Sequence, residues 1–177
     1  MKLLRWLTLG VALLAASPAL PQETCEGFKW DVTREHALFL GTATPLAVGT
    51  QEKEAPEVEA GRLYDLALSR ASDVTFAFSP SRKKPVPAEN AYGGMARFRV
   101  PRAGRYRVSL GGHAWVDAAA QHQVLSAADF SGAEGCSAPR KIVAYDFPEG
   151  GDVTLEISGA ADSHIRMTLT VAPSPGR

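Results

Sequence analysis

Short runs in which apolar and polar residues alternate leave this chain little choice but to fold as sheets. Tyr64, Leu66 and Leu68 alternate with Asp65, Ala67 and Ser69, and Val74, Phe76 and Phe78 with Thr75 and Ala77. Phe98 and Val100, then Tyr106, Val108 and Leu110, are interleaved with polar residues in the same way. Residues 114–118 form a short candidate and 141–147 a mostly apolar one; Val153-Leu155-Ile157 and Ile165-Met167-Leu169-Val171 are the clearest. Side chains of a strand point to opposite faces in turn, so a period of two means one face buried and one in water.

Turn-forming residues separate the runs: Pro101-Arg102-Ala103-Gly104, Glu149-Gly150-Gly151-Asp152 and Ser158-Gly159-Ala160-Ala161-Asp162. Eight or nine short strands without a sustained helical period predict an all-β fold, an antiparallel two-sheet β-sandwich of jelly-roll-like form. A closed lipocalin-like barrel competes with it, but Gly27-Phe28-Lys29-Trp30 lacks the G-x-W spacing of such barrels. Two stretches are less regular. Residues 30–40 fit neither period and read as a short helix or an irregular segment, and residues 79–90 form a long loop rich in proline and cations.

The N-terminus carries an export signal. Lys2 and Arg5 precede an apolar run from Trp6 to Ala16, and Ser17-Pro18-Ala19 supplies the small residues of a cleavage site. The run is too short to span a bilayer, and no later segment approaches that length. The expected organisation is a signal peptide over 1–19, an irregular segment packed on the domain over 20–60, the sandwich over 61–172 and a flexible tail over 173–177. A periplasmic or secreted location follows. Nineteen acidic and nineteen basic residues balance, so nothing in the overall charge favours nucleic acid or an anionic membrane. Cys25 and Cys136 are the only cysteines, and in an oxidising compartment one connectivity is open to them. Such a bridge closes a loop of about 110 residues, worth on the order of 4–5 kcal/mol in the chain-entropy account.

Motifs for chemistry are missing. His36, His113, His122 and His164 fall in no H-x-H or H-E-x-x-H arrangement, and there is no G-x-S-x-G, S-x-x-K or dinucleotide glycine pattern. Gly93-Gly94 and Gly111-Gly112 read as strand-end bends. No catalytic residue, metal or cofactor is expected. Two groups of residues remain as binding candidates. If the strands either side of Pro101–Gly104 pair as a hairpin, Arg97 faces Arg107 and Arg99 faces Arg105 on the polar side. Like charges so opposed need compensation, by carboxylates such as Glu156 or by an external anion. In an arch, with the two strands in different sheets, these arginines never meet. Trp115 is the second candidate. A tryptophan mid-strand in a sandwich usually fills the core, with Asp117 then bridging to Arg140 or Lys141; alternatively Trp115, His113 and Asp117 form a platform for a sugar or aromatic ligand.

Residues 92–141 resemble a group of small exported bacterial proteins without an established function. The resemblance is carried by Tyr92-Gly93-Gly94, Phe98-x-Val100, Ala103-Gly104-x-Tyr106-x-Val108, Ala114-Trp115-Val116-Asp117, and Cys136 followed by Arg140-Lys141. Members of that group are often labelled homogentisate 1,2-dioxygenase. The resemblance implies a periplasmic β-domain with a Cys25–Cys136 bridge and no assigned catalytic residue. Where relatives tend to carry histidines ahead of the second cysteine, this chain has Asp129-Phe130-Ser131, so a metal role for those histidines does not carry over. The sequence thus predicts a non-catalytic binding or accessory module whose partner is a small molecule, a glycan or an envelope protein. A metal-dependent dioxygenase and a structural subunit of an envelope complex are the alternatives.

Overall fold

A computed structural model describes residues 27–81, 87–136, 138–148 and 150–173. Its eleven strands are β1 (Thr44–Ala47), β2 (Leu63–Ala67), β3 (Ser69–Arg70), β4 (Tyr92–Arg99), β5 (Gly104–Leu110), β6 (Trp115–Ala120), β7 (Gln123–Leu125), β8 (Asp129–Gly132), β9 (Lys141–Phe147), β10 (Asp152–Ala160) and β11 (His164–Val171). They form a six-stranded sheet in the order β1-β2-β11-β5-β9-β8 and a five-stranded sheet in the order β3-β4-β10-β6-β7. Every pairing is antiparallel except that of β1 with β2. The fold is therefore a β-sandwich. Within it β2-β11-β5-β9 faces β4-β10-β6-β7, the strand orders of an eight-stranded jelly roll.

The apolar member of each alternation fills the space between the sheets. Leu66, Leu110, Leu155, Ile157, Met167 and Leu169 are at most 1 % exposed. An aromatic cluster joins the layers: Phe98 of one sheet stands edge-on to Tyr106 of the other at 5.4 Å, and Tyr106 stacks on Phe147 at 5.2 Å. The Tyr106 hydroxyl donates to the carbonyl of Arg102 at 2.9 Å, tying the connection between β4 and β5 to the strand it feeds.

That connection corrects the hairpin expectation. β4 pairs with β10 and β3, whereas β5 pairs with β11 and β9, so residues 100–103 form an arch between layers. Both geometries put Phe98 and Tyr106 on an apolar surface, but only the arch lets them face each other across it and keeps the arginines apart. Two further expectations change. Residues 74–78 form no strand. Their alternation survives, with Val74, Phe76 and Phe78 half-buried between exposed Thr75 and Ala77, because the segment lies as a strap on the outer face of the five-stranded sheet. Gly93 and Gly94 stand inside β4, opposite a register shift in β10, and are not bends.

The polar faces are not simply wet. Over the six-stranded sheet lies the helix α1 (Thr33–Phe39), which falls in the stretch left open as helix or irregular segment. Beneath it Arg107, Ser109, Thr168 and Thr170 are buried, and Glu35 of the helix accepts hydrogen bonds from Thr170 Oγ1 at 2.6 Å and Arg107 Nη1 at 3.4 Å. His36 Nδ1 meets the carbonyl of Ala138 at 2.6 Å. The segment expected over 20–60, with a short helix left open at 30–40, thus contributes in its described part both that helix and the parallel strand β1. Cys136 is buried, at 2 % exposure; Cys25 lies outside the described residues, as do the signal segment, residues 82–86 of the cationic loop and the tail beyond residue 173.

The glycines of β4 let a neighbouring segment approach closely. A Cβ on Gly94 would lie 2.1 Å from Val48 Cγ2, and one on Gly93 would lie 2.6 Å from the carbonyl oxygen of Ile157. Gly94→Ala is expected to cost about 1–3 kcal/mol as overpacking. Gly151→Ala, which meets nothing within 4 Å, should leave stability unchanged. Urea denaturation of the two variants checks this.

Candidate functional site

A cavity opens where the two sheets part at their short edge strands, β7 and β8. It holds about 630 Å³, within the range of small-molecule sites. Val143 and Tyr145 of β9 and Leu125 of β7 supply apolar wall, Phe130 of β8 stands 63 % exposed at its side, and Trp115, His113 and Lys141 also line it.

The alternation that builds the core also builds this site. Lys141 has the parity of Val143 and Tyr145, so β9 projects it into the space between the sheets, where core residues would otherwise continue. There its Nζ stands 4.6 Å from the centroid of the Trp115 ring, at the start of β6 in the opposite sheet, and 3.4 Å from the carbonyl oxygen of Ala114 just before that strand. Burial lowers the Lys141 pKa below that of an ordinary lysine, and the charge of Asp117 opposes the shift. Tyr145 donates to the carbonyl of Val116 at 2.7 Å, and burial, reinforced by Asp117, raises its pKa, so it remains a neutral phenol.

Trp115 therefore does not fill the core, which is the placement the sequence favoured. It is 36 % exposed and borders the cavity. Its indole N–H donates to Asp117 Oδ1 at 3.0 Å and to Ser81 Oγ at 3.2 Å. Nor does Asp117 form the expected bridge to Arg140 or Lys141. Its Oδ2 accepts the Ser81 backbone N–H at 3.0 Å and its Oδ1 the Ser81 hydroxyl. Ser81 lies three positions beyond the strap, so Asp117 joins this segment, the sheet and the cavity. His113, Trp115 and Asp117 do come together as one lining, and His113 is exposed.

Glu156 of β10 lies directly opposite Asp117 of β6, on the same strap-covered face. It is 1 % exposed; its Oε1 accepts the Phe78 N–H at 2.9 Å, while its buried Oε2 has no hydrogen-bond partner among the described residues. Burial pushes its carboxyl up to about 7; hydrogen bonds from Phe78 and Ala77 pull it down, and the charges of Asp117 and Glu52 add to the rise. Both carboxylates receive backbone N–H groups of the strap and its continuation to Ser81. They are docking points for that segment.

The four arginines do not converge. Arg99 pairs with Asp152 at 3.1 Å and Arg105 with Asp146 through two hydrogen bonds of 2.8 Å, all at the surface. The half-buried Arg97 has its backbone bonded to Pro56 and Val58. Arg107 is buried under α1, 4.9 Å from the Trp30 ring centroid and within 3.0 Å of the Asp31 carbonyl. They make no single anion-binding face. Among the described residues no three His, Cys, Asp or Glu side chains gather as a metal site. Lys141, Tyr145 and Phe130 were not singled out as site residues from the sequence. The first two sit in the mostly apolar run of residues 141–147, which reads as core, and Phe130 lies outside any recognised strand.

Compared with known proteins, the chain matches no family model, no curated protein and no solved structure.

The buried Glu156 ties stability to pH. Its folded pKa lies above its unfolded value, so the folded state is favoured when the group is protonated and loses that advantage as pH rises through about 7. Glu156→Gln is expected to raise Tm at pH 8 by about 2–4 °C, the shift that roughly 1 kcal/mol gives a domain of this size, and to change it little at pH 4. Thermal unfolding at the two pH values checks this.

Proposed function

We propose that this protein is an exported, non-catalytic binding module that holds a small, largely apolar molecule in the cavity between its sheet edges. The cavity itself carries the reading. It is concave, lined mainly by apolar side chains and furnished with a few polar groups from both sheets, which is the usual make-up of a small-molecule site. The polar groups beside it are engaged structurally: Asp117 fastens the strap and Trp115, and Tyr145 bonds backbone. Export rests on the N-terminal signal pattern, and the resemblance to small exported bacterial proteins supports an accessory role.

A Cys25–Cys136 bridge belongs to the same proposal. Lys29, four positions after Cys25, bonds Ser131 through its backbone N–H at 3.0 Å and Asp129 through Nζ at 2.8 Å. The segment that follows Cys25 is thereby held along β8, the strand that leads to Cys136. The bridge would clamp this edge, where the cavity opens.

The dioxygenase label would require iron. The described residues do not fit such a centre, because no three potential ligand side chains converge, and we derive no reaction through one.

Nile red, which fluoresces in apolar surroundings, tests the cavity. The purified protein is expected to bind it. Ala127→Trp, which places a large side chain at an exposed position of the cavity wall, should weaken binding by about tenfold or more, as filling an apolar site forfeits its burial. Leu40→Ser, at a 73 % exposed apolar residue on the helix side, should not. Equal binding by wild type and Ala127→Trp overturns the proposal.

A further inference from the structure

The cavity holds a charged group that finds no counter-ion among the described residues. Among the described residues Lys141 forms no ion pair: its ammonium faces the Trp115 ring and the Ala114 carbonyl. Asp117 acts on it only through its field, since both oxygens of that carboxylate already accept hydrogen bonds from Ser81 or Trp115. A half-buried ammonium beside apolar wall is costly unless it is paired, and the lowered Lys141 pKa records that cost.

We infer that the cavity takes an amphipathic monocarboxylate, its carboxylate paired with Lys141 Nζ and its hydrocarbon body laid against Leu125, Phe130 and Val143. This rests on the cavity being the binding site. The ligand would supply the missing negative charge, and the apolar wall would take up the chain. Asp117, Glu134 and Arg140 are the other charged lining groups, two negative and one positive. They disfavour a doubly charged head such as phosphate. His113, also on the lining, contributes no fixed charge when neutral.

Calorimetric titration with octanoate, octan-1-ol and octylammonium separates charge from apolar burial. Wild-type protein is expected to bind octanoate about tenfold or more tightly than octan-1-ol, since a charge-assisted hydrogen bond in a partly buried site is worth that much. Lys141→Met should abolish the preference by weakening octanoate alone, and Lys141→Arg should keep it. Lys141→Gln replaces Lys141→Met if the latter does not fold. Equal affinity for octanoate and octan-1-ol, or tightest binding of octylammonium, overturns the assignment of ligand class. So does failure of all three to bind while Nile red still binds and is blocked by Ala127→Trp. Loss of Nile red binding as well overturns the underlying reading of the cavity.

Discussion

The longer strands of this chain each have one apolar face, and two layers closing on each other bury it. The chain meets that constraint by changing sheet at six of its ten connections. β4 enters one layer, β5 the other and β6 returns to the first. The arch at residues 100–103 is where this is decided. It sets Phe98 against Tyr106 across the core and carries the neighbouring arginines to opposite outer surfaces. Aromatic packing and the avoidance of like-charge pairs favour the same topology.

The outer surfaces show a second layer of organisation. Polar residues in the alternating runs are usually solvated, yet here several are buried under segments that supply matching polar groups. Helix α1 brings Glu35 to Arg107 and Thr170, and the strap over the five-stranded sheet, with its continuation to Ser81, brings backbone N–H groups to Asp117 and Glu156. Such contacts pin segments that have little apolar area of their own. They also account for two carboxylates standing in register on adjacent strands: each accepts a backbone N–H from the segment over the sheet.

The cavity follows from the way the layers end. β7 and β8 are short, so the sheets part before the core is filled, and the inward row of β9 continues past Val143 to Lys141. A lysine at a core parity is tolerated because Trp115 and a backbone carbonyl receive its ammonium and because the space around it stays open. The arrangement that leaves the sandwich incomplete at this edge also gives it a polar handle inside an apolar hollow.

Local side-chain pattern was enough to read the sandwich, the inward faces of β2, β4, β5, β10 and β11, and His113, Trp115 and Asp117 as neighbours, since spacing along a strand decides what shares a face. It was not enough for the short strands β1, β3, β7 and β8, whose few residues carry too little periodicity, or for residues 74–78, where a strand-like pattern lies on a sheet without joining it. Whether β4 and β5 pair or part, whether Trp115 is core or rim, and what Lys141 faces depend on contacts between residues far apart in the chain. Alternation says which side of a strand is apolar; only the closing of the layers says what lies opposite.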